Sequence, residues 1–77
     1  MLFAHIVSDP KICHGKPCFK GTRILVSTIL DSLAAGDSLD LLVREYPPLK
    51  RENILEAIEY ASVLTKGEEH YLRRKAV

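Results

Sequence analysis

Four residues near the N-terminus, His5, Cys13, His14 and Cys18, are of the types that bind metal ions. Strong zinc sites show short paired spacings such as C-x2-C, whereas here the order is Cys-His-x3-Cys with a distant His5. The pattern favours small buried cysteines and surface histidines. We therefore expect no metal and no cofactor, and a small metal-binding regulator is the weakest alternative function.

The segment between residues 15 and 23 contains glycine, lysine and threonine, as phosphate-binding loops do, but not their G-x4-G-K-[ST] spacing. Gly15 and Gly21 are better explained as turn residues, because glycine adopts the positive φ that tight turns require. No Ser-His-Asp or Cys-His set has a catalytic spacing, and a chain of 77 residues offers little concave surface. We therefore expect that the protein is not an enzyme and has no catalytic residues.

Basic residues at the start of the third predicted helix are candidates for contact with DNA. Helices over about 39–45 and from residue 51 onward, joined by a four-residue turn, have the order of a helix-turn-helix motif. The second of these helices begins with Lys50, Arg51 and Asn53, and Asn can read adenine while Arg binds guanine or phosphate. Glu52 and Glu56 oppose such contacts, and the net charge is only +1. Contact with operator DNA and a solvated helix end therefore both remain open.

A short β-hairpin is expected to precede the helices. Ala4 to Val7 has the composition of a strand that ends at a turn, and Cys18 to Lys20 is its natural partner. Asp9 and Arg23 then meet at the mouth of the hairpin, where we predict an ion pair. Structural roles are therefore assigned to Asp9, Gly15, Gly21 and Arg23.

The first two helices have recognisable ends. Ser27 and Ser38 are suited to cap their N-termini, because a serine hydroxyl accepts a hydrogen bond from a backbone N–H of the first turn. Gly36 reads as the stop of the first helix, and Pro47 as the stop of the second.

The third helix is predicted from Arg51 to about Leu64, and Gly67 is expected to break or end it. Apolar residues at helical spacing predict its core face, which comprises Ile54, Ala57, Ile58 and Ala61. Further apolar residues lie off this stripe and predict an oligomer contact, namely Leu55, Val63 and Leu64.

The chain resembles the domain-of-unknown-function family four-three-three over about residues 5–62. The shared signature is densest from Asp9-Pro10 to Val26, with Gly15-Lys16-Pro17 and Lys20-Gly21-Thr22-Arg23-Ile24 at its centre. It continues without gaps through Leu33-Ala34-x-Gly36-x-Ser38, Tyr46-Pro47-x-Leu49 and Ile54-x-x-Ala57-x-x-Tyr60-Ala61. The chain departs from the family pattern at Lys50, where the family usually has threonine.

The resemblance implies a small helix-turn-helix-like protein of the antitoxin type that binds a PIN-like ribonuclease toxin. Such nucleases hold their metal with clustered acids, and arginines that enter such a site would silence it. Partner-binding candidates in the C-terminal segment are Tyr71, Leu72, Arg73 and Arg74. Arginine and tyrosine are common interface anchors, although a frayed, solvated C-terminus has the same composition. The alternative function is a protein-interaction module without DNA binding.

Length and composition set the remaining expectations. Seventy-seven residues, 47% of them hydrophobic, form one small domain with a marginal core, so we expect a homodimer. No leader and no membrane-length apolar run is expected, which favours the cytoplasm and reduced cysteines. The predicted fold is mostly α, with an N-terminal short β-hairpin followed by a three-to-four-helix homeodomain-like helix-turn-helix bundle. The hairpin and this core span residues 1–66, and residues 67–77 form a charged C-terminal helix or tail.

Overall fold

The computed structural model describes residues 3–76, with side chains for residues 3–66, and it contains two strands, a 3-10 turn at Cys13–Gly15 between them, and three α-helices. Two strands come first, β1 at Ile6–Val7 and β2 at Cys18–Phe19. Three α-helices follow, α1 at Val26–Ala34, α2 at Leu39–Glu45 and α3 at Arg51–Ala76. The prediction of a mostly α fold with a short N-terminal hairpin is confirmed.

The two strands form the hairpin that the sequence predicts. They pair antiparallel, with Ile6 opposite Phe19. The backbone N–H of Lys20 extends the ladder, because it donates to the carbonyl of His5 at 2.8 Å. One side of this small sheet is buried, since Ile6 and Phe19 are both almost inaccessible to solvent. The hairpin therefore covers the helices instead of standing apart from them.

The connection between the strands turns through a left-handed backbone. Cys13, His14 and Gly15 have φ values of 53°, 57° and 80°, and Gly21 after β2 has 81°. Glycine adopts this conformation freely, whereas it costs another residue about 1–2 kcal/mol. The turn roles predicted for Gly15 and Gly21 are confirmed, and the strain at Cys13 and His14 has no signal in the sequence.

The ion pair predicted between Asp9 and Arg23 is wrong. The Asp9 carboxylate accepts a hydrogen bond from the backbone N–H of Lys11 at 2.9 Å, and Arg23 is exposed. A donor two residues along the chain is available without ordering a long side chain, so aspartate closes its own turn. Arg23 contributes through its backbone instead, because its carbonyl accepts from the Cys13 thiol at 3.4 Å.

Helix α1 begins one residue earlier than predicted and is not capped by Ser27. Leu25 occupies the N-cap position, and no side chain accepts from the first turn. The backbone N–H of Val26 donates instead to the carbonyl of Pro17 at 3.0 Å. The loop before β2 therefore supplies the hydrogen bond that a serine hydroxyl was expected to supply. Gly36, at φ 101°, follows the end of α1 as predicted.

Helices α2 and α3 begin where the sequence predicts, but α3 ends later than predicted. The Ser38 hydroxyl accepts from the backbone N–H of Leu41 at 3.1 Å, which confirms it as the cap of α2. Tyr46 follows the last residue of α2, ahead of Pro47, also as predicted. The break expected at Gly67 is wrong, because the backbone of α3 is helical as far as Ala76. One glycine inside a long helix costs about 1 kcal/mol, which is not enough to end it.

The core lies between the hairpin and one face of each helix. Its fully buried side chains come from β2 and all three helices, and they are Cys18, Phe19, Val26, Ile29, Leu42 and Ile54. On α3, Ala57 is also buried, but Ile58 is 43% exposed, so its assignment to the core face is wrong. One residue further along a helix is a rotation of about 100°, which carries Ile58 out of the stripe.

A contact of long sequence range fixes the N-terminus to α3. The carboxylate of Glu56 accepts from the backbone N–H of His5 at 3.0 Å, and its other oxygen lies 3.4 Å from the imidazole Nδ1. Phe3 and Tyr60 stack edge to face beside it, with ring centres 5.3 Å apart. These contacts hold the hairpin against the middle of α3, where the candidate surfaces described below begin.

Candidate functional site

The residues predicted to read DNA lie together at the start of α3. The backbone N–H of Lys50, the residue before the helix, donates to Oδ1 of Asn53 at 2.8 Å. This contact is half of a capping box, in which the third helical residue caps the first free N–H. Asn53 therefore supplies the cap that the sequence was thought to lack at this helix end.

Arg51 is also engaged within the chain. Its guanidinium pairs with the carboxylate of Asp40 in the first turn of α2. Both side chains are largely exposed, so the pair is weak and open to exchange with another anion. Lys50 is exposed as well. Of the three candidates, Lys50 is free for an external contact, while Arg51 and Asn53 hold the connection between α2 and α3.

A larger feature, which the sequence did not indicate, is an apolar groove between α1, α3 and the loop before β2. We call it the apolar groove, and its volume is about 560 Å³. The hydrogen bond from Val26 to Pro17 draws the loop onto the start of α1 and so forms one wall. The main lining residues are Pro17, Val26, Leu30, Tyr60, Ala61 and Leu64.

Leu64 marks the position where the apolar stripe of α3 leaves the core. Ile54 and Ala57 are buried against the other helices, Ala61 is half-buried, and Leu64 is 60% exposed. These residues follow one another at spacings of three and four, so Leu64 continues the core face beyond the body of the protein. A large aliphatic side chain in this position is available to a partner that enters the apolar groove.

A second exposed surface lies on the other side of α3. Leu55 is 53% exposed and Ile58 is 43% exposed, with Glu52 and Glu59 beside them. Apolar side chains on a helix normally face the core, so exposed ones mark contact sites. The oligomer contact predicted from Leu55, Val63 and Leu64 thus remains a prediction. All three are exposed, and Ile58 joins them.

The two cysteines are neighbours, but the histidines do not join them. His5 contacts Glu56, Cys13 contacts the carbonyl of Arg23, and His14 is exposed. Burial raises the pKa of the Cys18 thiol above its usual value of 9.0, and the neighbouring Cys13 thiol raises it further. Within residues 3–66, no three His, Cys, Asp or Glu residues form a group suited to a metal ion.

The partner-binding candidates lie near the C-terminal end of α3. Tyr71, Leu72, Arg73 and Arg74 belong to the helical backbone of α3, but their side chains lie outside the described residues. No helix in the described part of the chain combines the length and apolar character that crossing a membrane requires.

Comparison with known proteins gives the family. A family model described as "Protein of unknown function (DUF433)" matches residues 6–61. The uncharacterized protein y4eO of Sinorhizobium fredii (strain NBRC 101917 / NGR234) is 38% identical over 56 residues, which are 73% of this chain and 25% of that protein. This chain therefore spans about a quarter of the length of that relative.

A solved structure extends the similarity to the whole fold. The crystal structure of a DUF433 member protein from Anabaena variabilis superposes with a TM-score of 0.72 at 27% sequence identity. The superposition covers 97% of this chain and 70% of that chain. Because the family model covers most of the chain, from β1 to the part of α3 that lines the groove, the chain belongs to the DUF433 family.

Proposed function

We propose that this chain is an antitoxin-like interaction protein that binds a PIN-like ribonuclease. The observation that carries the proposal is the apolar groove, into which Leu64 brings an exposed aliphatic side chain. Its volume of about 560 Å³ suits apolar anchor residues, which dominate the binding energy of protein interfaces. The nuclease as partner comes from the resemblance described above, and the groove supplies the place where it docks.

The C-terminal stretch of α3 is the second part of the proposed interface. The helix backbone continues from Leu64 to Ala76, so a partner in the groove also meets this stretch. It contains Tyr71, Leu72, Arg73 and Arg74, which combine apolar and cationic side chains. Arginines form strong charge-assisted hydrogen bonds with carboxylates, which are the groups a metal-dependent nuclease presents.

Binding of operator DNA is a weaker component of the proposal. Its support is the exposure of Lys50 and Arg51 at the start of the second helix of a helix-turn-helix arrangement. The contact between Asn53 and its own helix start reduces that support, because it occupies the Oδ1 that would accept from adenine. An interaction module without DNA binding therefore explains the geometry equally well.

Co-expression with the product of the neighbouring gene tests the nuclease proposal. We expect the tagged chain to retain a PIN-like protein, identified by mass, and to suppress its cleavage of RNA. Leu64→Glu should reduce both effects at least tenfold, because it places a charge in the apolar groove. Leu55→Glu is the matched control, since it makes the same change at an exposed leucine outside the groove. A neighbour of another protein class, or equal retention by the Leu64→Glu variant, would contradict the proposal.

The DNA component has its own test. Retardation of the upstream DNA at low salt, falling steeply as salt is raised, would support it. Unchanged migration at low salt would leave the chain as a protein-interaction module alone.

A further inference from the structure

The exposed surface of α3 beside its buried face has the spacing of a helix-pairing seam. We call this surface the outer face, and its seam residues are Leu55, Ile58, Ser62 and Thr65. They follow one another at intervals of three and four, as the a and d positions of a coiled coil do. All four are exposed, and Leu55 and Ile58 are the large apolar residues among them. Within residues 3–66, neither Leu55 nor Ile58 belongs to the hydrophobic core or packs against it.

A row of charges runs beside the seam at intervals of seven residues. Its members Glu52, Glu59 and Lys66 are exposed, and the same interval leads in the sequence to Arg73. The row is therefore acidic in the first half of α3 and basic in the second. Charges at such flanking positions select the partner and the orientation of paired helices.

This order of charges makes the row complementary to itself when the helix is reversed. A two-fold axis crossing α3 between residues 62 and 63 sets position 52 opposite position 73, and position 59 opposite position 66. Each acidic position then faces a basic one, twice in every pair. A parallel pairing places the two copies of the row on opposite sides of the seam, so only the antiparallel pairing brings their acidic and basic positions together. The partner whose chemistry fits the outer face is therefore a second, antiparallel copy of this chain.

We propose that two copies of the chain pair antiparallel through the outer face of α3. The centre of the seam tolerates burial, because the Thr65 hydroxyl already has a carbonyl partner, Ala61 at 3.0 Å or Ser62 at 3.1 Å. The core packs on the first half of α3, so reversal of one helix sends the two bodies to opposite ends of the pair. The proposal does not depend on the nuclease, because Leu64 is not part of the seam; Thr65 is the seam residue that also borders the apolar groove.

Charge reversal of the row tests the orientation. Glu52→Lys with Glu59→Lys makes the row wholly basic, and Lys66→Glu with Arg73→Glu makes it wholly acidic. By sedimentation equilibrium we expect each double variant to dimerise at least tenfold more weakly than the native chain. The quadruple variant restores the complementary order, so it should dimerise as the native chain does, and a mixture of the two double variants should form heterodimers.

Two further variants separate the seam from the groove. Leu55→Glu should be monomeric, whereas Leu64→Glu should dimerise normally. Circular dichroism verifies that each variant is folded. Glu52→Lys adds positive charge to the first turn of a helix, which is unfavourable for the helix itself. The test is therefore repeated with the single exchanges Glu59→Lys and Lys66→Glu and with their combination.

The outcomes are distinct from those of the nuclease experiment. A native chain that remains monomeric at several hundred micromolar overturns the antiparallel pair. So does a quadruple variant that stays as weak as the double variants, or a dimer that charge reversal leaves unchanged. If Leu64→Glu loses nuclease retention but still dimerises, the antiparallel pair is supported. The dimerisation result therefore tests the antiparallel pair independently of the nuclease proposal.

Discussion

Asn53 offers a perturbation that separates a structural role from a role in DNA recognition. Its Oδ1 accepts from the backbone N–H of Lys50 at 2.8 Å and so caps the start of α3. Asn53→Ala removes this acceptor. Loss of a helix cap costs about 1 kcal/mol, within a range of about 0.5–2 kcal/mol. In a domain of this size, each kcal/mol lowers the melting temperature by about 4–8 °C.

Asn53→Asp tests the same contact, but this exchange is expected to keep or raise the stability instead of lowering it. Aspartate keeps the oxygen acceptor, and its negative charge interacts favourably with the positive end of the helix dipole, by about 0.3–1 kcal/mol. It lacks the side-chain N–H with which asparagine donates to adenine. If Asn53 reads a base, Asn53→Asp will lose DNA binding without losing stability. If Asn53 only caps the helix, the stability will be unchanged or slightly improved, and DNA binding will fall only slightly, through the repulsion of one added negative charge from the phosphates.

Thermal unfolding followed by circular dichroism measures the stability of both variants, and gel retardation at low salt measures binding to upstream DNA. Lys50→Ala is the control, because it removes an exposed side chain and keeps the backbone N–H that Asn53 accepts from. It should weaken any phosphate contact and leave the stability within about 0.5 kcal/mol. A stability of Asn53→Ala equal to that of the native chain would refute the capping argument.

Three further predictions concern the hairpin and its loop. Glu56→Ala removes two contacts to His5 and should lower the free energy of unfolding in urea by about 1.5 kcal/mol. Glu59→Ala, at an exposed residue one turn away, should change the stability of dilute samples little. Equal effects of the two variants would contradict this prediction. Gly21→Ala should cost about 1–2 kcal/mol from backbone strain alone, since φ is 81° and no atom lies within 4 Å of the added Cβ. Gly21→Asn should cost clearly less, and an alanine variant of native stability would refute the strain. Burial raises the folded-state pKa of Cys18, so the contribution of this thiol to stability is complete below pH 9.0 and is lost as the pH rises through that higher pKa. Cys18→Ala should therefore make the free energy of unfolding fall less steeply at alkaline pH. An unchanged slope of unfolding free energy against pH would contradict this prediction.

Features that depend on neighbours in the sequence were predicted well. The Ser38 cap, the stop at Gly36 and the turn at Gly21 each involve residues within three or four positions. Antiparallel pairing of β1 with β2 also followed from the composition of the two strand segments, although ten residues separate the strands. In such cases the physical interaction and the sequence signal extend over the same distance.

Features that depend on distant residues were missed for the same reason. The cap of α1 comes from Pro17, nine residues before Val26, so the nearby Ser27 was a misleading signal. Asp9 found a donor in its own turn, which the choice of Arg23 as its partner ignored. Ile58 fits a helical stripe by spacing, but only packing fixes which of two adjacent stripes is buried.

The candidate surfaces also differ in whether they depend on local or on distant residues. The start of α3 was located correctly from sequence, although the engagement of Asn53 with Lys50 was not foreseen. The apolar groove requires the loop at Pro17 to meet α3, and no sequence pattern contains that contact. The seven-residue interval from Glu52 through Glu59 to Lys66 was present in the sequence, and it gained meaning once these residues proved exposed.

One helix could serve both proposed partners, because Leu55 and Leu64 point in opposite directions. Leu55 and Leu64 are nine residues apart, which is a rotation of about 180° on a helix. The outer face at Leu55 therefore remains accessible when a nuclease occupies the apolar groove at Leu64. An antiparallel pair then carries two grooves near opposite ends, and each accepts one nuclease. The two proposals together require a complex of two chains with two nucleases, in which the Leu55→Glu variant retains its nuclease in a one-to-one complex.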